Sequence, residues 1–111
     1  MRQTPAFFTQ RPVHGECNPY YFNYISLVPD GNLLAMLPEQ HTLTQQTLRG
    51  LSDDAALFRP APEEWSIKQV IGHLTDTERL FSYRMLHFAR ADSAPLPSME
   101  PNPWMEAARF D

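Results

Sequence analysis

Four histidines, His14, His41, His73 and His87, hold most of the metal and proton chemistry open to this chain. Histidine titrates near neutral pH and is the commonest metal ligand. His73, in the segment Gly72-His73-Leu74, stands in the second turn of an apolar-patterned stretch. Two readings of it are open: a part-buried histidine satisfied by a neighbour or by water, and one ligand of a metal site. A lone histidine does not decide between them, because a zinc or similar site takes three or four ligands. His41 lies on the apolar stripe of a separate helix and meets His73 only if two helices pair in one particular register. His87 falls on the polar side of its helix and reads as solvated. His14 sits in an irregular leader and reads as free.

The other reactive types offer less. Glu78 falls on the apolar side of its helix, where an unpaired buried carboxylate is costly. An ion pair with Arg79 or Arg84 is therefore expected of it. Asp76 and Glu78 point to different helix faces, so they are no glycosidase pair. Ser66 is taken up as a helix cap and has no histidine base nearby in sequence, which leaves a hydrolytic triad unsupported. The single cysteine, Cys17, excludes an internal disulfide framework and a cysteine-based zinc site.

His73 depends on the element that carries it. Ser66 is a helix N-cap, and Gln69 three residues later completes a capping box. No glycine or proline follows Gly72 until Pro95, so one long helix is expected. At about 100° per residue, Ile67, Val70, Ile71, Leu74, Glu78, Phe81, Met85 and Phe88 form one broad core-facing stripe. His73, Thr77, Leu80 and Arg84 line its flank, at the rim of any cleft the stripe closes. A second long helix is expected from about Asn32 to Arg49, with Leu34, Leu37, His41, Thr44, Leu48 and Leu51 in register. Pro38 either kinks it or begins a second segment, and Gly50 suits its C-terminus.

Shorter pieces connect these. Residues 1–17 are polar and irregular, with Pro5, Pro12 and Gly15, and read as an arm with Phe7 and Phe8 as anchors. Asn18 caps a short helix that opens on Pro19. Tyr20, Tyr21, Tyr24, Ile25 and Val28 then read as an aromatic flap over a core, and Pro29-Asp30-Gly31-Asn32 is a turn. Ser52 to Pro62 reads as a loop, and so does Arg90 to Pro103. Asn102-Pro103 starts a last short helix with Trp104, Met105, Ala108 and Phe110 on its apolar side. No strand alternation and no internal repeat is present. The fold class is all-α, in two parts: the arm, 1–17, and a helical domain, 18–111.

Composition limits function. The 111 residues carry nine basic and thirteen acidic side chains, a net charge of −4. No basic run exists, so nucleic acid is not an expected partner. No apolar run approaches 18 residues, so no membrane is expected either. One cysteine and no apolar leader suit a cytoplasmic protein.

Several stretches together resemble a known family. They are Asn18-Pro19-Tyr20-Tyr21 with Tyr24-Ile25 and Val28-Pro29, then Glu63 through Arg79, and Tyr83-Arg84. Ala89-Arg90-Ala91-Asp92, Pro95-Leu96-Pro97 and the closing Phe110-Asp111 complete the set. The family is the DinB-like superfamily, and the likeness covers about 18–111, most specifically Trp65 to Arg84. That family is related to metal-dependent thiol transferases using bacillithiol or mycothiol, and to the N-terminal domain of ergothioneine-forming sulfoxide synthases. The resemblance implies an up-down-down-up four-helix bundle with a divalent metal, nickel or zinc, on three histidines. The first of these falls in Gly72-His73-Leu74, which makes His73 the metal ligand of this chain. The other two belong to a fourth helix, in a His-x-x-x-His-like motif that this chain lacks.

The expectation is therefore an incomplete four-helix bundle: two long antiparallel helices plus short ones, truncated before the third and fourth long helices. When full length, such a protein is expected to be a metal-dependent thiol S-transferase or hydrolase, with a low-molecular-weight thiol as partner. This chain alone is expected to be inactive, with no metal of its own held tightly. The rival expectation is a non-catalytic half-bundle that self-associates through its open apolar face as a homo-oligomer.

Overall fold

The computed structural model describes residues 5–111, Phe7 by its backbone alone. Met1 to Thr4, and the expected anchoring by the Phe7 side chain, lie outside the described residues. Among those described every regular element is helical, so the protein is all-α. The chain divides into two compact units, Met1–Arg49 and Gly50–Asp111.

In the first unit a 3-10 turn, Ala6–Phe8, precedes an irregular stretch. A second 3-10 turn, Pro19–Tyr21, runs directly into the short helix α1, Phe22–Ile25. Asn18 caps the turn, its side chain accepting from the Tyr20 N–H at 3.0 Å. Proline opens it because its missing N–H has no use there. Helix α2 spans Leu33–Leu48, capped by Asn32, whose side chain accepts from the Leu34 N–H at 2.9 Å. Pro38 lies inside α2 without ending it. It removes one intrahelical bond, the one its N–H would have given to Leu34. Gly50, just past the helix, adopts φ +79°, a left-handed conformation that glycine takes without steric cost.

The arm is tied down by Arg11 rather than by aromatic packing alone. Its Nε donates to Asp30 Oδ1 at 2.8 Å, and Nη1 donates to the Ile25 carbonyl at 2.8 Å. Nη2 donates to the Val28 carbonyl. One guanidinium thus gathers the end of α1 and the turn that follows it. Phe8 is half-buried and lines, with Ile25, Val28, Pro29 and Leu33, a mostly apolar cleft of about 210 Å³.

In the second unit Ser52 caps a short helix, α3, Asp53–Ala56, its Oγ accepting from the Ala55 N–H at 3.2 Å. A helix stands here where a loop was expected. Ser52 followed by two acidic residues is a sound start signal, because the carboxylates favour the positive end of the helix. Helix α4, Ile67–Ala89, carries the complete capping box of Ser66 and Gln69. It stops well before Pro95. The backbone turns left-handed at Ala91, φ 53°, while the Ala91 N–H reaches the Phe88 carbonyl at 2.9 Å and the Asp92 N–H reaches His87 at 3.2 Å. That pair of bonds is a Schellman closure with alanine in the place glycine usually takes. Helix α5, Pro101–Ala108, packs on α4 and begins two residues earlier than expected, on Pro101 rather than Pro103.

The expected stripe on α4 forms but is not covered. Ile67 and Ile71 are half-buried, whereas Val70, Leu74, Phe81, Met85 and Phe88 are exposed, Phe88 by 68%. Glu78 lies on this open face and is exposed, so it has no buried charge to offset. The ion pair expected of it does not form among the described residues. Arg79 turns instead to Asp76, at 3.5 Å, and Arg84 to the Pro97 carbonyl, at 3.0 Å.

Candidate functional site

The site is the first two turns of α4, and its order begins with Ser66, which is fully buried. The Ser66 Oγ accepts from the Gln69 N–H at 3.1 Å, and the Gln69 Oε1 accepts from the Ser66 N–H at 3.0 Å. The hydroxyl proton remains, and it goes to Asp111 Oδ1. The other oxygen of that carboxylate pairs with Arg59 Nη2. Arg59 Nη1 donates to Gln69 Oε1 at 2.7 Å and to the Glu64 carbonyl at 2.9 Å. Arg59, Gln69, Ser66 and Asp111 therefore close a ring of hydrogen bonds around the start of α4. Every polar atom of the buried serine is matched, which a buried hydroxyl needs.

Phe110 seals the same corner. Its ring lies so close to Gly72 that a Cβ there would sit 2.3 Å from a ring carbon. Glycine is required at this point because an aromatic ring occupies the space of any side chain. Met105 of α5 is buried in the same unit.

His73 follows Gly72 and is half-buried. Its ring tilts by 54° against Trp65, with centroids 4.9 Å apart. The carbonyl of His73 accepts from the Thr77 hydroxyl at 3.0 Å, a bond back along the helix. Trp65 is likewise half-buried. The imidazole thus rests on Trp65, which stands just before the cap, and the residue before it, Gly72, lies under Phe110.

The remaining histidines divide differently from expectation. His87, read as solvated, is buried, only 7% exposed. Its Nδ1 lies 3.5 Å from Asp92 Oδ2, and its ring meets those of Tyr83 and Phe88 at 6.3 and 5.8 Å. The Schellman closure brings Asp92 back over the end of α4, and that covers a ring which helical phase alone leaves open. His14 is not free: it stacks on Phe22 at 4.7 Å. His41 is exposed on α2, in the other compact unit. Near the far end of the His73 flank, Arg84 lies 5.8 Å over the Phe81 ring, and its Nε is buried without a hydrogen-bond partner among the described residues.

The aromatic flap expected over a core covers none: Tyr20, Tyr21, Tyr24 and Val28 are exposed, because no described residue of this unit is buried beneath them, and Tyr20 among them carries a shifted pKa. Tyr20 and Tyr24 share a hydrogen bond, 3.0 Å between hydroxyl oxygens. That bond, with the repulsion a second phenolate would add, holds the Tyr20 phenol above its ordinary value.

The chain belongs to the DinB superfamily, whose family model matches residues 36–110. It is also similar to an uncharacterized protein, YuaE, of Bacillus subtilis (strain 168). The two are 33% identical over 70 residues, 63% of this chain and 42% of that protein. The chain therefore spans less than half the length of the curated relative it matches. No solved structure matches it.

DinB proteins are generally metal-associated, so the donor set here bears on the family's chemistry. Among the described residues no three histidine, cysteine, aspartate or glutamate side chains come together as a metal site. Among the described residues His73 has an aromatic neighbour and is not part of any group of three or more metal-ligating side chains. These residues do not fit a complete metal centre, and no reaction step is assigned to them. No helix of the described residues is long and apolar enough to cross a membrane.

Proposed function

We propose that this chain is the His73-bearing, N-terminal part of a DinB metal-binding protein, and that His73 supplies one ligand to a divalent metal, nickel or zinc. The observation that carries the reading is the placement of the His73 ring against Trp65 at the capped start of α4. A ligand binds more tightly when its orientation is limited, and this imidazole packs on Trp65 just after the capped start of α4. The family match and the partial span of the relative support it. The remaining ligands would come from outside the described residues. In the full-length form the reading implies a cytoplasmic enzyme, a thiol S-transferase or a hydrolase, with a low-molecular-weight thiol as the partner of the transferase.

Calorimetric titration of nickel and of zinc tests this. The 111-residue chain should bind weakly. A form extended by two helices with the family's histidine pair should bind tightly, and His73→Ala should abolish that binding. Tight one-to-one binding by the monomeric 111-residue chain, or unchanged binding after His73→Ala in the longer form, would overturn the assignment.

A second reading, a self-associating half-bundle without metal, has its own support in the open face of α4. Each large apolar side chain left in water forgoes roughly 1.5–3 kcal/mol. Exposed faces of this kind usually mark association sites. Sedimentation should then show a dimer or larger species, and a compact monomer would count against it.

A further inference from the structure

We propose that Asp111 is a positioning residue for His73, acting as a latch that sets the orientation of the imidazole from a point 38 residues further along the chain. The inference rests on the reading of His73 as a ligand, but its mechanism is independent of any metal. Asp111 reaches α4 through both carboxylate oxygens. One accepts the proton of the buried Ser66 hydroxyl, and the other pairs with Arg59, which in turn holds the Gln69 amide. Ser66 and Gln69 are the capping box, so the latch grips the two side chains that define where α4 begins.

Trp65 precedes Ser66 directly, and its ring is the surface against which His73 rests. Phe110, next to Asp111, fills the space over Gly72, the residue before His73. Fixing residues 110 and 111 therefore fixes the backbone on both sides of the histidine stack. Arg109 supports this geometry by turning left-handed, φ 52°, which directs the chain from the end of α5 back to the start of α4. A cap alone would secure the helix end. The latch adds ties to the residues that flank the Trp65–His73 pair, Ser66 after Trp65 and Gly72 before His73.

The test is the proton NMR spectrum of the imidazoles in the metal-free 111-residue chain, with His87 as an internal reference at the opposite end of α4. The His73 ring signals should carry a ring-current displacement from Trp65. In Asp111→Ala that displacement should be lost while the His87 signals stay in place. Asp111→Asn keeps an acceptor for Ser66 but not the charge for Arg59, and should give an intermediate shift. His73 signals unmoved in both variants would overturn the proposal. So would His73 and His87 moving together in both, because that is what general loss of structure produces. The metal reading fails by a different result, unchanged nickel binding in His73→Ala of the longer form, which leaves the latch intact.

Discussion

The two compact units are stabilised by different means. In Gly50–Asp111 a small interior exists: Ala56, Ser66, Gly72, His87 and Met105 are all buried. In the unit ending at Arg49 no described residue is buried, and its hydrogen-bonded ties lie at the surface. Arg11 joins its arm to the turn after α1, Asn18 and Asn32 cap, and Thr42, Thr44 and Thr47 bond back along α2. Water competes for every one of those bonds, so each adds little. Burial has no such competitor, and a buried polar group that loses its partner is penalised in full. The comparison teaches that the unit holding His73 is the one built to keep a side chain in a single place.

The strongest way to break the contrast is Met105→Ala. Truncating a buried methionine costs about 2–5 kcal/mol through lost transfer free energy and cavity formation. Both tryptophans lie in this unit, so their fluorescence should report a much lower melting temperature. A melt unchanged from the parent protein would show that the interior contributes nothing. A smaller effect is expected from Arg11→Ala. Three hydrogen bonds go, but the side chain is 42% exposed and solvent replaces much of what is lost. About 1 kcal/mol is expected. Amide exchange at Ile25 to Gly31 should speed up, while the amides of α4's first turns keep their protection.

The smallest effect sharpens the same contrast. Tyr20 is exposed, and its raised pKa comes first from its hydrogen bond with Tyr24. The sign follows from linkage. A phenol raised in the folded state contributes stability that is present below the ordinary tyrosine value of about 10 and is lost as pH rises through the raised value. Tyr24→Phe should bring Tyr20 ionisation back toward the ordinary range, read by tyrosinate absorbance in alkaline titration. Ionisation of Tyr20 unchanged by that substitution would place the cause elsewhere.

Legibility in the sequence followed the range of the forces involved. The start of α4 at Ser66 and the Asn18-Pro19 turn were readable, since each needs residues no more than four apart, and α2 could be placed from about Asn32 although its cap there was not read. The start of α3 carried the same kind of signal, in Ser52-Asp53-Asp54. Helical phase was readable too: the apolar stripe of α4 is where periodicity puts it. What covers a phase was not. Periodicity alone assigned Glu78 to the inside and His87 to the outside, and the structure reverses both. The open face exposes Glu78, and the turn through Ala91 brings Asp92 to His87.

The amino-acid order by itself determined an all-helical chain, most of its caps and turns, the family it belongs to, and His73 as the residue to examine. These rest on local backbone preference and on patterns that need no knowledge of the rest of the fold. Only the tertiary structure decided that Asp111 meets Ser66 across 45 residues and Arg59 across 52, or that Phe110 occupies the space beside Gly72. Contacts at such separations depend on how α5 packs against α4. That packing is set by the shape of whole surfaces and not by the spacing of any few residues.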